Sequence, residues 1–221
     1  MGKVIAIDGP SGAGKSTVAR MLAEMMGMDY LDTGALYRAV ALGLNSLGTS
    51  PDDPEHEISE RLKNLEVRFR DGRVFLNGRD VSSEIRTTEA GHLSSVFSAR
   101  KPVRDYLLPV QRRAAQEADL VAEGRDMTTV VFPEAWRKFY LDASVEARAQ
   151  RRYLQLRQNG VLATMEDAEK DVVERDERDS SRDLAPLRVA DDAVYIDTSN
   201  MTLEEVMKVV LGSAKGEKLR V

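Results

Sequence analysis

Lys3-Val4-Ile5-Ala6-Ile7-Asp8 runs directly into Gly9-Pro10-Ser11-Gly12-Ala13-Gly14-Lys15-Ser16, and this stretch decides the fold. The first six residues are a short apolar run ending in a carboxylate, the pattern of a buried parallel strand. The next eight fit G-x-x-x-x-G-K-[ST] without a gap. Its glycines let the backbone curl until successive N–H groups point inward at a phosphate. The helix that opens near Lys15 adds the positive end of its dipole. Val18, Met21, Leu22 and Met25 repeat at helical spacing over Ser16–Met26, and Gly27 is placed to stop that helix. A glycine-rich turn arising by chance would lack this frame of strand and amphipathic helix. Gly9, Pro10, Ser11, Gly12, Ala13, Gly14, Lys15, Ser16 and Thr17 therefore form the expected ATP site. Lys15 faces the β and γ phosphates as a point charge, and the Ser16 hydroxyl is a hard oxygen ligand for Mg²⁺.

Further along, strands and helices alternate. Met28–Leu31, Leu120–Glu123, Lys138–Leu141 and Ala193–Ile196 read as strands. Helices are expected from Ala35, over Glu89–Ala118 with a break near Lys101-Pro102, and over Ser144–Gln158, Met165–Arg182 and Leu203–Leu211. Thr49–Glu57, rich in Pro, Asp and Glu, reads as a loop. Leu65–Arg70, Arg73–Leu76 and Arg79–Val81 are separated by Asp71-Gly72 and Asn77-Gly78, dipeptides whose tolerance of positive φ favours hairpins. A small antiparallel insert at about 65–85 thus interrupts an α/β chain with a central parallel sheet. Ligands on such sheets bind at the C-terminal strand ends. The turns after Ile7, Leu31, Glu123 and Asp142 should converge.

The bulk numbers fit an enzyme of small solutes. The 221 residues suit one core with small insertions. Apolar residues make up 42% and charged residues 31%, with no apolar run near the ~18 residues of a membrane span. No signal-peptide layout precedes the first strand. The absence of cysteine excludes disulfides, and two histidines make a His-based metal site improbable. These features fit the cytoplasm. A net charge of −5 argues against a nucleic-acid coat, whereas a basic cleft within 32 Lys and Arg suits a small anion.

A phosphate loop specifies a triphosphate, not a reaction. No glycine has Asp three residues before it and no Lys follows an Asn, so the motifs of guanine-reading GTPases are missing. A small-molecule kinase fits the length best. Asp32-Thr33-Gly34-Ala35-Leu36-Tyr37-Arg38 puts Arg38 one helical turn past Gly34, where it could fork onto a second phosphate or simply lie on a solvated face. Glu123-Gly124-Arg125-Asp126 brings two charges to another strand end, either as ligand groups or as a mutual ion pair. Arg175, Asp179 and Arg182 share one face at i, i+4, i+7. Pattern alone favours a solvated, salt-bridged face there.

GPSGAGKST, LDTGALYR, EGRDMTTVVFP and RDERDSSRDLAPL, in this order, resemble the bacterial cytidylate kinases, as does DVSSEIRTTEA. The likeness runs from Val4 to the last helix. It implies transfer of the ATP γ-phosphoryl group to CMP or dCMP by a monomer with Mg²⁺. It also implies a CORE (about 1–36, 105–148, 184–221), an NMP-binding region with the β insert (about 37–104) and a LID (about 149–183). By position, Thr33, Arg38 and Arg125 would hold the acceptor phosphate; the family usually has Ser where Thr33 stands, a mild departure because either hydroxyl donates. Ser95, Arg104 and Asp126 would read cytosine, whose exocyclic amine suits a carboxylate. Asp179 and Arg182 would contact the ribose, and Arg175 would reach the transferring phosphate. Lys15, Arg125, Arg175 and Arg182 form the catalytic set. Arg148, Arg151 and Arg152 stand equally well as ATP contacts or as a salt-bridged face. The rivals are a kinase for another acceptor and a nucleotide-binding module that does not turn over.

Overall fold

A computed structural model describes residues 2–70 and 72–216. Asp71 of the expected Asp71-Gly72 turn and the charged end past Gly216 lie outside them. Strand β1 (Val4–Asp8) leads to α1 (Lys15–Met26), β2 (Asp29–Asp32), α2 (Thr33–Ser46) and α3 (Glu55–Leu62). The insert follows as β3 (Val67–Arg70), β4 (Arg73–Leu76) and β5 (Arg79–Asp80). Then come α4 (Thr88–Phe97), α5 (Lys101–Glu117), β6 (Leu120–Glu123), β7 (Arg137–Asp142), α6 (Val145–Gln158), α7 (Met165–Ser181), β8 (Val194–Asp197) and α8 (Leu203–Ala214).

The main sheet has the order β2-β6-β1-β7-β8, with every pairing parallel. The inner strands β1 and β6 are short and buried along their whole length because both faces are covered, while the edge strands β2 and β8 are partly exposed. Along β1 the side chains divide alternately: Val4 and Ala6 enter the core beneath α2 and α5, while Ile5 and Ile7 enter the core beneath α1 and α8. β6 splits the same way, with Val121 opposite Leu120 and Ala122. β1 lies between β6 and β7, so the loops after all three open on one edge of the sheet.

The insert forms the expected antiparallel sheet β3-β4-β5. Asn77 (φ 49°) and Gly78 (φ 80°) turn the chain between Leu76 and Arg79. Val67, Val74 and Leu76 join the α2 side of the core, so the insert is fastened by apolar burial.

One expectation needs correction and another is sharpened. The loop at Thr49–Glu57 ends inside α3, an eight-residue helix starting after Pro54, with Glu55 and Glu57 in its first turn and Arg61 in its last. Those charges suit the helix dipole, and Ile58 and Leu62, four residues apart, anchor it in the core. The break in Glu89–Ala118 falls at 98–100, just ahead of Lys101-Pro102; Pro102 sits in the first turn of α5, where its missing N–H costs nothing.

Candidate active site

A cleft of about 520 Å³ opens at the C-terminal edge of the main sheet, where the turns after β1, β2 and β6 meet. Gly9, Gly12 and Gly14 curl the phosphate loop with φ of 148°, 79° and 91°. Ser11, Gly12, Gly14, Lys15, Ser16 and Thr17 face the cleft. Gly9, Pro10 and Ala13 of the expected ATP site are buried and do not line the cleft. Lys15 is buried, and its Nζ donates to the Pro10 carbonyl at 2.7 Å. Burial pulls its pKa down, the nearby Arg125 charge adds to that, and Glu123, Asp179 and Asp8 oppose it.

Beside the lysine lies an oxygen-rich corner. Ser16 Oγ donates to Glu123 Oε1 at 2.5 Å, and the Tyr30 hydroxyl approaches the same oxygen at 3.3 Å. Burial raises the pKa of Glu123, and the neighbouring Asp32 carboxylate raises it further. Asp32 also caps α2 by accepting the Ala35 N–H at 2.9 Å. Among the described residues no three carboxylate, His or Cys groups cluster as a ready-made metal cage. The Ser16 hydroxyl and the Glu123 carboxylate, side by side in the cleft, fit an ion such as Mg²⁺, which takes one or two protein oxygens and otherwise keeps water and phosphate.

Across from the loop, Thr33 Oγ1 donates to the Glu123 carbonyl at 2.7 Å. Gly124 has ordinary negative φ; its role is close approach, since a Cβ there would come within 2.7 Å of the Thr33 hydroxyl. Arg38 lines the cleft, and burial lowers its pKa against the opposing pull of Asp32 and Glu123. It therefore does not lie on a solvated face. Arg125 and Asp126 do not pair with each other. Arg125 Nε donates to Asp179 Oδ2 at 2.7 Å, and Arg104 forms an ion pair with Asp126. For Arg125, burial disfavours the charge but Asp179 outweighs it, leaving the pKa raised. Ser95 and Arg104 both line the cleft.

Arg175, Asp179 and Arg182 also reach the cleft, but not from one helix face. α7 ends at Ser181, and Arg182 is extended (φ −65°, ψ 140°), with Nε on the Ala185 carbonyl at 2.7 Å. Its approach therefore depends on the chain leaving the helix, which spacing could not reveal. Arg175 donates to Asp171 at 3.0 Å and packs on Gly91 of α4; burial lowers its pKa to about 10, against the pull of Asp171. α6 adds Arg151, bound to Thr198 through Oγ1 (3.0 Å) and O (2.6 Å), and Arg152, bound to Asp171 at 2.7 Å. Arg148 is buried, ion-paired with Asp176, and its Nη1 donates to the Ser11 carbonyl at 3.2 Å. Asp176 in turn accepts the Ser11 N–H at 3.2 Å, so a carboxylate of α7 rests on the phosphate loop.

Nine cationic side chains and four carboxylates face this cleft in a chain of net charge −5. The sequence had not singled out Glu123, Asp32 or Arg86 as site residues. Arg86, in the 3-10 turn Glu84–Arg86, had its only signal in the DVSSEIR stretch.

The chain is matched over residues 5–216 by the family model for cytidylate kinase. A cytidylate kinase from Thermodesulfovibrio yellowstonii is 56% identical over 215 residues, covering 96% of this chain and 97% of its own. Another, from Thermotoga sp., is 48% identical over 211 residues, covering 96% of each. Among solved structures, an uncharacterized protein from Eubacterium ventriosum superposes with a TM-score of 0.51 at 12% identity, covering 97% of this chain and 99% of that one. That likeness shows the fold.

Proposed function

Because the chain belongs to the cytidylate kinase family, we propose a two-substrate site for it, with ATP on the phosphate loop and the acceptor nucleotide between α2, α4 and the turn after β6. The enzyme transfers the γ-phosphoryl group of ATP to CMP or dCMP, giving ADP and CDP or dCDP. The observation that carries the site reading is the inversion of charge. The cleft gathers an excess of cations around Lys15 in an acidic chain, as two polyanions brought together require.

Gly9–Thr17 cradle the triphosphate, and Lys15 moves from the Pro10 carbonyl onto the β and γ oxygens. Thr33, Arg38 and Arg125 hold the acceptor phosphate. An oxygen of that phosphate attacks Pγ, the bond from Pγ to the β–γ bridging oxygen breaks, and ADP leaves with the electron pair. The second pKa of a phosphate monoester is about 6, so the attacking oxygen is largely ionised at neutral pH and needs no general base. Asp126 accepts the cytosine amine, Arg104 donates to its N3 and O2 side, and Ser95 completes the base pocket. Asp179 and Arg182 hold the ribose. Arg175 and Arg182 neutralise charge on the transferring group from the α7 side. Ser16 and Glu123 are the residues that would hold Mg²⁺, and the ion, when bound, would neutralise negative charge on the triphosphate.

The chain divides into a CORE (about 1–36, 105–148, 184–221), an NMP-binding region (about 37–104) and a LID (about 149–183). The LID reading is supported by how α6 and α7 are tied to the loop through long ionic side chains. A cytoplasmic monomer that binds neither nucleic acid nor membrane is the accompanying proposal. It is supported by the acidic net charge and the lack of cysteine. No helix among the described residues is long and apolar enough to cross a membrane.

The test is initial ADP release with ATP and Mg²⁺ against CMP, dCMP, UMP, AMP, GMP and an alcohol acceptor such as shikimate. Selection of CMP and dCMP is expected. Preference for another monophosphate would discard Ser95, Arg104 and Asp126 as cytosine readers. ATP binding without turnover on any acceptor would overturn the kinase reading.

A further inference from the structure

Asp8 is one of the deepest charged groups in the protein, with 0% exposure, and nothing in the reaction above uses it. It ends β1 immediately before the phosphate loop. Its Oδ1 accepts the Met127 N–H at 2.9 Å, and its Oδ2 accepts the Thr128 N–H at 2.7 Å and the Thr128 hydroxyl at 2.6 Å. The residue before it acts on the same segment, because the Ile7 carbonyl accepts the Gly124 N–H at 3.0 Å. Ile7 and Asp8 thus grip the chain on both sides of Arg125-Asp126. Beyond the grip the backbone winds into a π turn, Met127–Val131, with the Val131 N–H on the Asp126 carbonyl at 3.0 Å and the Phe132 N–H on the Met127 carbonyl at 2.8 Å. Such wide turns are rare and need outside support.

We propose that Asp8 is a positioning residue that fixes Asp126, and through it the acceptor's base, relative to the phosphate loop. A carboxylate is required because three donors converge on it. An amide would turn an NH₂ group toward at least one of them. The cost of burying the carboxylate is visible in its pKa, which burial raises to about 6 even though the Thr128 and Met127 donors pull it down; the Asp126 charge pushes it up as well. A buried anion that bears on two ligand loops at once serves the distance between them, which phosphoryl transfer needs held to within a fraction of an ångström. This inference rests on the proposed role of Asp126, and its test separates the two.

The measurement is a double-mutant cycle of Asp8→Asn and Asp126→Ala, reading kcat/KM for CMP and for UMP, with the Kd for ATP in the absence of acceptor as the structural control. Asp8→Asn is expected to lower kcat/KM for CMP by about 10- to 100-fold, with the ATP Kd within about twofold of wild type. In the Asp126→Ala background the same change should cost less than about threefold. Additive losses, or an ATP Kd that weakens in step with CMP, would overturn the proposal. If Asp126→Ala leaves CMP and UMP equally affected, the base-reading assignment fails, while the coupling between positions 8 and 126 still decides the role of Asp8. Thr128→Val removes one of the three bonds without unpairing a backbone group, and Thr128→Ser restores it. If Asp8→Asn does not fold, a drop of roughly fivefold in the first, with recovery in the second, supports the same role; no drop in Thr128→Val overturns it.

Discussion

The two walls of the cleft carry similar charges but are fastened differently. On the sheet side, Lys15, Glu123, Arg125 and Asp126 stand on strand ends and tight turns whose backbone is tied to β1, and Glu123 and Asp126 are almost fully buried. On the helical side, Arg152, Arg175 and Asp171 hold one another through ion pairs between partly exposed side chains. α7 buries only Ala168, Val172 and Asp179. Apolar burial and backbone hydrogen bonds keep one geometry, whereas ion pairs near solvent can be exchanged at little cost. The sheet wall is thus built to hold a distance, and the helical wall to be remade when anionic ligands arrive.

The largest test of this contrast is Lys15→Ala. It should lower kcat by about 10³-fold or more with thermal unfolding near that of wild type, because the loop backbone is held without the side chain. A folded, fully active variant would reject the loop assignment. Second is a pH effect specific to Asp8. Its pKa stands at about 6 in the folded chain against an ordinary 3.8. Between those values the folded state keeps a proton that the unfolded state has released. Stability from this group is therefore full below pH 4 and is lost as pH rises to about 6, by on the order of 3 kcal/mol. Urea unfolding of wild type minus that of Asp8→Asn across pH 4–7 should show that decline, and a flat difference would refute it. Asp126→Ala comes third, with kcat/KM for CMP falling about tenfold more than for UMP; equal losses would mean that Asp126 shapes the wall without reading the base. Smallest is Asp171→Asn on the helical wall. It should raise the KM for either substrate by no more than about threefold, with the effect fading at high salt. A larger, salt-insensitive loss would mean that α6 and α7 are as rigid as the sheet side and would erase the contrast.

Much of this was legible in the sequence, for identifiable reasons. Strands β1, β6 and β8 are short apolar runs closed by a carboxylate, β2 and β7 carry short apolar centres between charged ends, and Asn77-Gly78 can hardly do anything but turn a hairpin. The phosphate loop announces itself because its glycines, lysine and serine must follow at fixed spacing. What could not be read was set by distant partners. Arg104 meets Asp126 across 22 positions and Arg125 meets Asp179 across 54, so a local reading of Arg125-Asp126 left their mutual ion pair as the minor alternative and named neither true partner. The π turn at Met127–Val131 looks like an ordinary β-branched run, because what holds it is Asp8, 119 residues away. α3 was hidden by loop-like composition, and only Ile58 and Leu62 betray it. The departure of Arg182 from the helix follows from the extended chain after Ser181, which the i, i+7 spacing concealed.

Asp176 resting on the Ser11 amide has one more consequence. A single N–H cannot serve two anions fully, so any phosphate that takes this donor must evict a tenant the protein supplies itself, and Arg148 then gives up its carboxylate while staying on the Ser11 and Ala143 carbonyls. The nucleotide affinity of this chain is in that sense an exchange constant: the strength of the guest less that of the lodger. Because exchange is reciprocal, whatever loosens α7 from the loop also makes room on it.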